Sequence, residues 1–160
     1  MRKRLALLVC FFLITSCGFK LRGTAEMPVW LNNVAIVVQS AHRDLLPLIK
    51  DQLQSYSIRV IDNPTQADYV LVLEKDSFQQ QITSVGASTN PRQYLLLYTV
   101  QFSLLKVKGK PLISSGSVIV SRQLTVNNDR ILGSDYEESM INREMRQDAA
   151  MQIMNRISRK

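Results

Sequence analysis

Apolar positions recur along this chain with three different periods, and each predicts a different element. Residues 34–38 form a continuous apolar run, the pattern of a strand buried on both faces. Leu45, Ile49, Leu53 and Tyr56 follow at spacings of 4, 4 and 3, which places them on one helical face. Asp44 is positioned to cap that helix, and Pro47 is tolerated in its first turn. Residues 58–61 read as a short strand ended by Asp62-Asn63-Pro64.

The middle of the chain alternates at period two. Residues 69–74 predict a strand that continues through 78–85, and 86–91 predict a polar loop. In 94–107, the clearest strand, Tyr94, Leu96, Tyr98, Val100, Phe102 and Leu104 share one face, with Thr99, Gln101 and Ser103 at the centre of the other. Residues 108–111 predict a turn. The return strand, 114–126, sets Val118, Val120, Leu124 and Val126 against Ser115, Ser117, Ser121, Gln123 and Thr125. One apolar side means a hairpin packed on a core through one face. The other face is polar and almost uncharged. It is either solvated or pressed against a polar protein surface, since Ser, Thr and Gln are buried at lower cost than ions.

Ser134-Asp135-Tyr136-Glu137 is a capping-box pattern, and a helix is predicted over 136–157, which contain no Gly or Pro. Ile141, Met145, Ala149, Ile153 and Ile157 form an i,i+4 column, and Met140, Met151 and Met154 lie on another side. Glu137, Glu144, Asp148 and Asn155 make a narrow polar stripe. The methionines read as core facing the sheet, or as an exposed strip for a partner. The sum is an α+β fold, with two helices on one face of a four- to five-stranded, mixed, mostly antiparallel sheet.

The first residues change the picture of where this domain resides. Arg2, Lys3 and Arg4 precede a ten-residue apolar run, 5–14, too short to span a bilayer. Thr15, Ser16 and Cys17 then complete the pattern of a bacterial lipoprotein signal. Residues 1–16 are expected to be removed, and Cys17 to carry a diacylglyceryl group and an N-acyl chain. One acyl chain anchors only marginally, at ~0.8 kcal/mol per buried CH₂, whereas several together hold firmly. Gly18 follows the cysteine. Aspartate there would retain an enterobacterial lipoprotein in the inner membrane, so its absence points to the outer membrane, periplasmic face. Residues 17–33 read as a lipidated tether and 34–160 as a single domain.

With Cys10 lost and Cys17 acylated, no disulfide forms, and the fold stands on packing alone. The formal charge of +7 includes the three leader cations and falls to +4 without them. A mildly basic, exported, anchored chain suits anionic head groups rather than nucleic acid.

Catalytic patterns are missing. His42 is the single histidine and reads as a surface or capping residue before the first helix. No His/Cys/Asp/Glu set has metal-ligand spacing, and there is no glycine-rich phosphate loop or nucleophile elbow. A hydrolase needs a nucleophile–base pair, which a lone His42 does not supply, so no enzyme and no cofactor beyond the covalent lipid is expected. Arg92 and Arg130 sit on loops that would reach the same end of the sheet. They read either as solvated charge or as forked donors to phosphate. Lys106, Lys108 and Lys110 surround a hairpin tip and read as solubilising charge.

Cys17-Gly18-Phe19-Lys20-Leu21-Arg22-Gly23 resembles the mature start of the LPS-assembly lipoprotein family, LptE, with Lys20 where relatives often carry His. The early strand and helix, the long strand entered through Tyr94-Leu95-Leu96, and the helix opening Asp135-Tyr136-Glu137-Glu138 resemble that family in layout. The resemblance implies a two-helix sandwich that plugs and helps assemble an outer-membrane β-barrel, LptD, and presents lipopolysaccharide to the outer leaflet. The family's basic loop positions hold Ala87 and Ser134 here. Arg92 and Arg130 stand beside them as substitute lipopolysaccharide contacts. The alternative is a stand-alone periplasmic lipid-binding lipoprotein with an internal apolar cavity.

Overall fold

In the computed structural model, residues 27–85, 91–125 and 134–160 are described. Five strands and two helices follow in the order β1 (Asn33–Ser40), α1 (Leu45–Ser55), β2 (Arg59–Val60), β3 (Tyr69–Val85), β4 (Pro91–Lys106), β5 (Pro111–Thr125) and α2 (Ser134–Ile157). The sheet order is β2-β1-β3-β4-β5. β1 runs parallel to both β2 and β3, while β3–β4 and β4–β5 are antiparallel. This is the expected α+β arrangement, with a mixed sheet of five strands.

The core forms where the apolar faces of the helices meet the sheet. From α1, Leu45, Ile49 and Leu53 are fully buried. From β4, Tyr98, Val100, Phe102 and Leu104 are fully buried and Leu96 nearly so. Val118, Val120 and Leu124 of β5 join them, so the period-two reading of this hairpin holds. Gly116 is required by its neighbour: a Cβ there would lie 2.8 Å from the Phe102 ring.

Two bulges decide what the alternation alone could not. β3 pairs in phase through Leu73↔Phe102, then shifts so that Lys75 faces Gln101. Glu74 is the extra residue. Before it, the odd positions Tyr69, Leu71 and Leu73 face the core. After it, Asp76, Phe78 and Ile82 oppose Val100, Tyr98 and Tyr94 and therefore share the helix-facing side. A second shift, between Phe102 and Leu104, moves the buried Ile113 onto the core face.

Several expected boundaries move. β4 begins at Pro91, so the loop expected over 86–91 is shorter and Arg92 belongs to the strand. α2 includes Ser134, two residues ahead of the expected helix start. Before the boundary expected at Val34, Leu31 is already buried and Trp30 packs at a tilt against Tyr69 with ring centroids 5.0 Å apart. The packed body thus includes Trp30 and Leu31, with Met27 against the same core, because an apolar segment beside an open sheet end gains by docking.

The last helix is less apolar around its girth than the narrow polar stripe suggested. Met145, Ala149, Ala150, Ile153, Met154 and Ile157 are buried, whereas Met140 is 46% exposed and Met151 44%. Arg143, Gln147, Gln152 and Arg156 are polar positions outside that stripe. The methionines therefore divide: Met145 and Met154 fill the core, and Met140 and Met151 face outward.

Candidate functional site

Three surfaces carry the chemistry that the described residues offer. The first is a polar seam where α1, α2 and the bulged part of β3 meet. The Glu74 bulge turns Asp76 inward. Its carboxylate accepts the Tyr98 hydroxyl at 2.7 Å and the His42 backbone N–H at 3.1 Å. Phe78 stacks on Tyr98 with centroids 4.1 Å apart, and the Arg146 guanidinium lies 5.2 Å from the centroid of the Phe78 ring, within cation–π range. Arg146 also stands 3.7 Å from the Asp44 carboxylate, and its Nε is buried without a hydrogen-bond partner. Burial pushes the Tyr98 hydroxyl well above the usual phenol range, and its bond to Asp76 adds to the shift. A phenol held protonated by a carboxylate is a structural clasp rather than a base.

Asp44 takes the expected cap position, but its side chain makes no capping hydrogen bond. It turns instead toward Arg146 and toward His42 Nδ1, 3.4 Å away. His42 Nδ1 lies 3.3 Å from the Asp44 backbone N–H and serves as its acceptor, in keeping with a local capping role. Beside the seam, a groove of about 540 Å³ runs between the helices, lined by Pro47, Leu48, Ser139, Asn142 and Arg143 among others. Asp148 of α2 pairs with Arg122 of β5 and ties the helix to the sheet margin. Of the clasp residues, Tyr98 was marked by the alternation of its strand as a core residue, whereas Asp76 and Arg146 carried no signal in the sequence. Asp76 follows Glu74 and Lys75 and reads as solvated charge until the bulge is known.

The second surface is the outer side of the sheet. Gln101, Ser115, Ser117, Ser121, Gln123 and Thr125 are exposed there. Ile119 among them is 60% exposed, and Ser103 is buried at 4%. The third is the end where β3, β4 and β5 stop together. Gln93 pairs with Ser84 on one side and Thr125 on the other, so the connections 86–90 and 126–133 leave the sheet from adjacent strands. The strands that flank the two expected basic loops thus end at the same level, while the loop residues 86–90 and 126–133 lie outside the described residues. Arg92 stands in the first residues of β4, while Arg130 and Cys17 lie outside the described residues. Near this end, Ile82 is 58% exposed and Tyr136 73%. Among the described residues, no cluster of three or more His, Cys, Asp or Glu side chains is arranged to hold a metal. No helix among them is long and apolar enough to cross a membrane.

This two-helix, five-stranded arrangement recurs in solved structures. A lipoprotein B of Nitrosomonas europaea superposes with a TM-score of 0.72 at 24% identity, covering 88% of this chain and 90% of that one. The rare lipoprotein B of Shewanella oneidensis superposes at 0.69 and 20% identity, covering 79% and 94%. These establish the fold. At the level of sequence, the model of the lipopolysaccharide-assembly family LptE matches residues 31–157. The chain belongs to the LptE family. Its relatives include the LPS-assembly lipoprotein LptE of Pectobacterium atrosepticum, 27% identical over 98% of this chain and 86% of that protein. The LptE of Photorhabdus laumondii is 28% identical over 88% and 76%. Family membership makes this a lipoprotein of lipopolysaccharide assembly, as the signal-like start and the Cys-Gly-aromatic opening anticipated.

Proposed function

We propose that this LptE-family chain is a non-catalytic outer-membrane lipoprotein. It is held by acyl chains on Cys17 at the periplasmic face, and it plugs and helps assemble the β-barrel LptD while contacting lipopolysaccharide on its way to the cell surface. The family match over nearly the whole packed body carries this reading. The structure supports it through a broad sheet face of exposed Ser, Thr and Gln. Such a face meets a polar barrel wall without the desolvation cost that ions would impose. A clasp built from a protonated phenol, a carboxylate and an arginine stiffens the body without offering a nucleophile–base pair. Arg92 and Arg130 supply phosphate contacts from the end where β3, β4 and β5 stop.

Gentle detergent extraction tests the reading. The acylated chain should co-purify with an outer-membrane barrel in near-equal amounts. Repeated recovery of the lipoprotein alone, with lipid retained in its interior, would instead establish a solitary lipid carrier.

A further inference from the structure

The end of the sheet opposite the two long connections is basic and partly apolar, and neither property belongs to the site above. Strand register defines this end. Tyr69 pairs with Lys106 and with Val34, and Asn33 pairs with Arg59. The β4–β5 tip therefore stands level with the starts of β1 and β2. Lys106, Lys108, Lys110 and Arg59 are all exposed there. Lys108 takes a left-handed backbone conformation, φ 66°, at the crown of the turn closed by Gly109 N–H to the Lys106 carbonyl. Asp68, the acidic side chain at this level, accepts a hydrogen bond from Asn33 at 2.8 Å.

Apolar groups accompany the cations. Leu105 is 36% exposed, Leu112 37% and Val29 90%. Leu105 pairs with Pro111 on the outer side of the tip. Val29 belongs to the lead-in segment, which is fixed at this end by Trp30 on Tyr69. The described chain begins at Met27, ten residues after Cys17, so an anchor on that cysteine lies within a short tether of the basic tip. Ten extended residues reach roughly 35 Å at most.

We propose that this end, the β4–β5 tip with Arg59 and Val29, is a docking surface for an anionic phospholipid leaflet, holding the domain upright on the membrane that carries its acyl chains. Lysine stems lay apolar length along the interface while their ammonium groups meet phosphate. Leu105, Leu112 and Val29 add shallow apolar contact of the kind that seats peripheral proteins in the head-group layer. The inference rests on the reading of Cys17 as the anchored residue. It adds a contact that orients a domain already held by its acyl chains.

Vesicle sedimentation with the full mature chain bearing Cys17→Ser, exported without acyl chains, isolates the surface. Binding to phosphatidylglycerol-rich vesicles should exceed binding to pure phosphatidylcholine vesicles and should weaken as salt rises. The triple variant K106Q/K108Q/K110Q should lose on the order of a hundredfold in affinity, since each basic residue near an anionic leaflet is worth roughly fivefold. An unchanged circular dichroism spectrum excludes misfolding. Equal binding to both vesicle types, binding to neither, or a variant as tight as the parent would overturn the proposal. So would an acylated triple variant that keeps vesicle binding yet loses the barrel, because the lysines would then be a protein contact. Failure of the parent chain to capture any barrel would count against the function proposed above and leave the vesicle comparison intact.

Discussion

Tyr98 shows how one residue joins sheet, bulge and helix. Its ring is fully buried against Phe78, and its hydroxyl donates to Asp76. Burial first, and the carboxylate second, favour the neutral phenol. The folded pKa therefore stands above the unfolded value of about 10. Stability from this group is fully present below that pH and is lost as pH rises beyond it, because the unfolded chain releases its proton first. Above pH ~10, Tyr98 should contribute a fall in unfolding free energy of up to about 1.4 kcal/mol per pH unit. Tyr98→Phe should remove that part of the slope and cost about 1.5 kcal/mol at neutral pH for the lost hydrogen bond to a carboxylate. Urea midpoints measured at neutral pH and above pH ~10 check this, and parallel alkaline limbs in the two proteins would contradict it. The partners of Tyr98 were not legible beforehand. The alternation in β4 placed its ring in the core, but no sequence pattern marks which carboxylate a bulge will turn toward it.

At the scale of elements, period-two and period-3.6 patterns were reliable wherever a single face is buried and the phase is unbroken. α1 and the stretch of the β4–β5 hairpin from Gln93 to Phe102 are of that kind. β3 is not, because Glu74 shifts its phase halfway. α2 is a second case. Its column of Met145, Ala149, Ile153 and Ile157 was legible, but the division of its methionines depends on where α1 and β5 stand around it. That division makes a testable pair. Met154→Ala should cost about 2–5 kcal/mol by opening a cavity. Met151→Ala should stay within about 0.5 kcal/mol, as an exposed position does. Chemical denaturation separates the two, and comparable losses would mean that Met151 is packed.

For the whole molecule, the sheet acts as a spacer with different chemistry at its two ends. At one end β3, β4 and β5 stop level with one another, near exposed Ile82. The other carries the lysine tip and the lead-in from Cys17. The lipopolysaccharide contact proposed for the first end is open to mutation. Arg92→Ala combined with Arg130→Ala should weaken lipopolysaccharide binding at least tenfold, taking a charge-assisted hydrogen bond at about 1.5 kcal/mol. The fold should be retained, because one arginine opens a strand at its margin and the other lies in a connection. Unchanged binding, with a normal circular dichroism spectrum, would remove both residues from the lipid contact.

What the sequence determined by itself was the set of elements, the buried faces of α1 and of most of the β4–β5 hairpin, and the family. These depend on local periodicity and on short motifs such as the Cys17-Gly18 opening, which are written residue by residue. Only the tertiary structure decided which way Asp76 and Phe78 point, that Arg146 reaches both Phe78 and Asp44, and that Lys108 stands at the same end as Val29. The physical reason is common to all three. A one-residue bulge inverts every side chain after it, and parallel β1–β3 pairing brings distant segments to one level, so each result depends on register between strands rather than on neighbours along the chain.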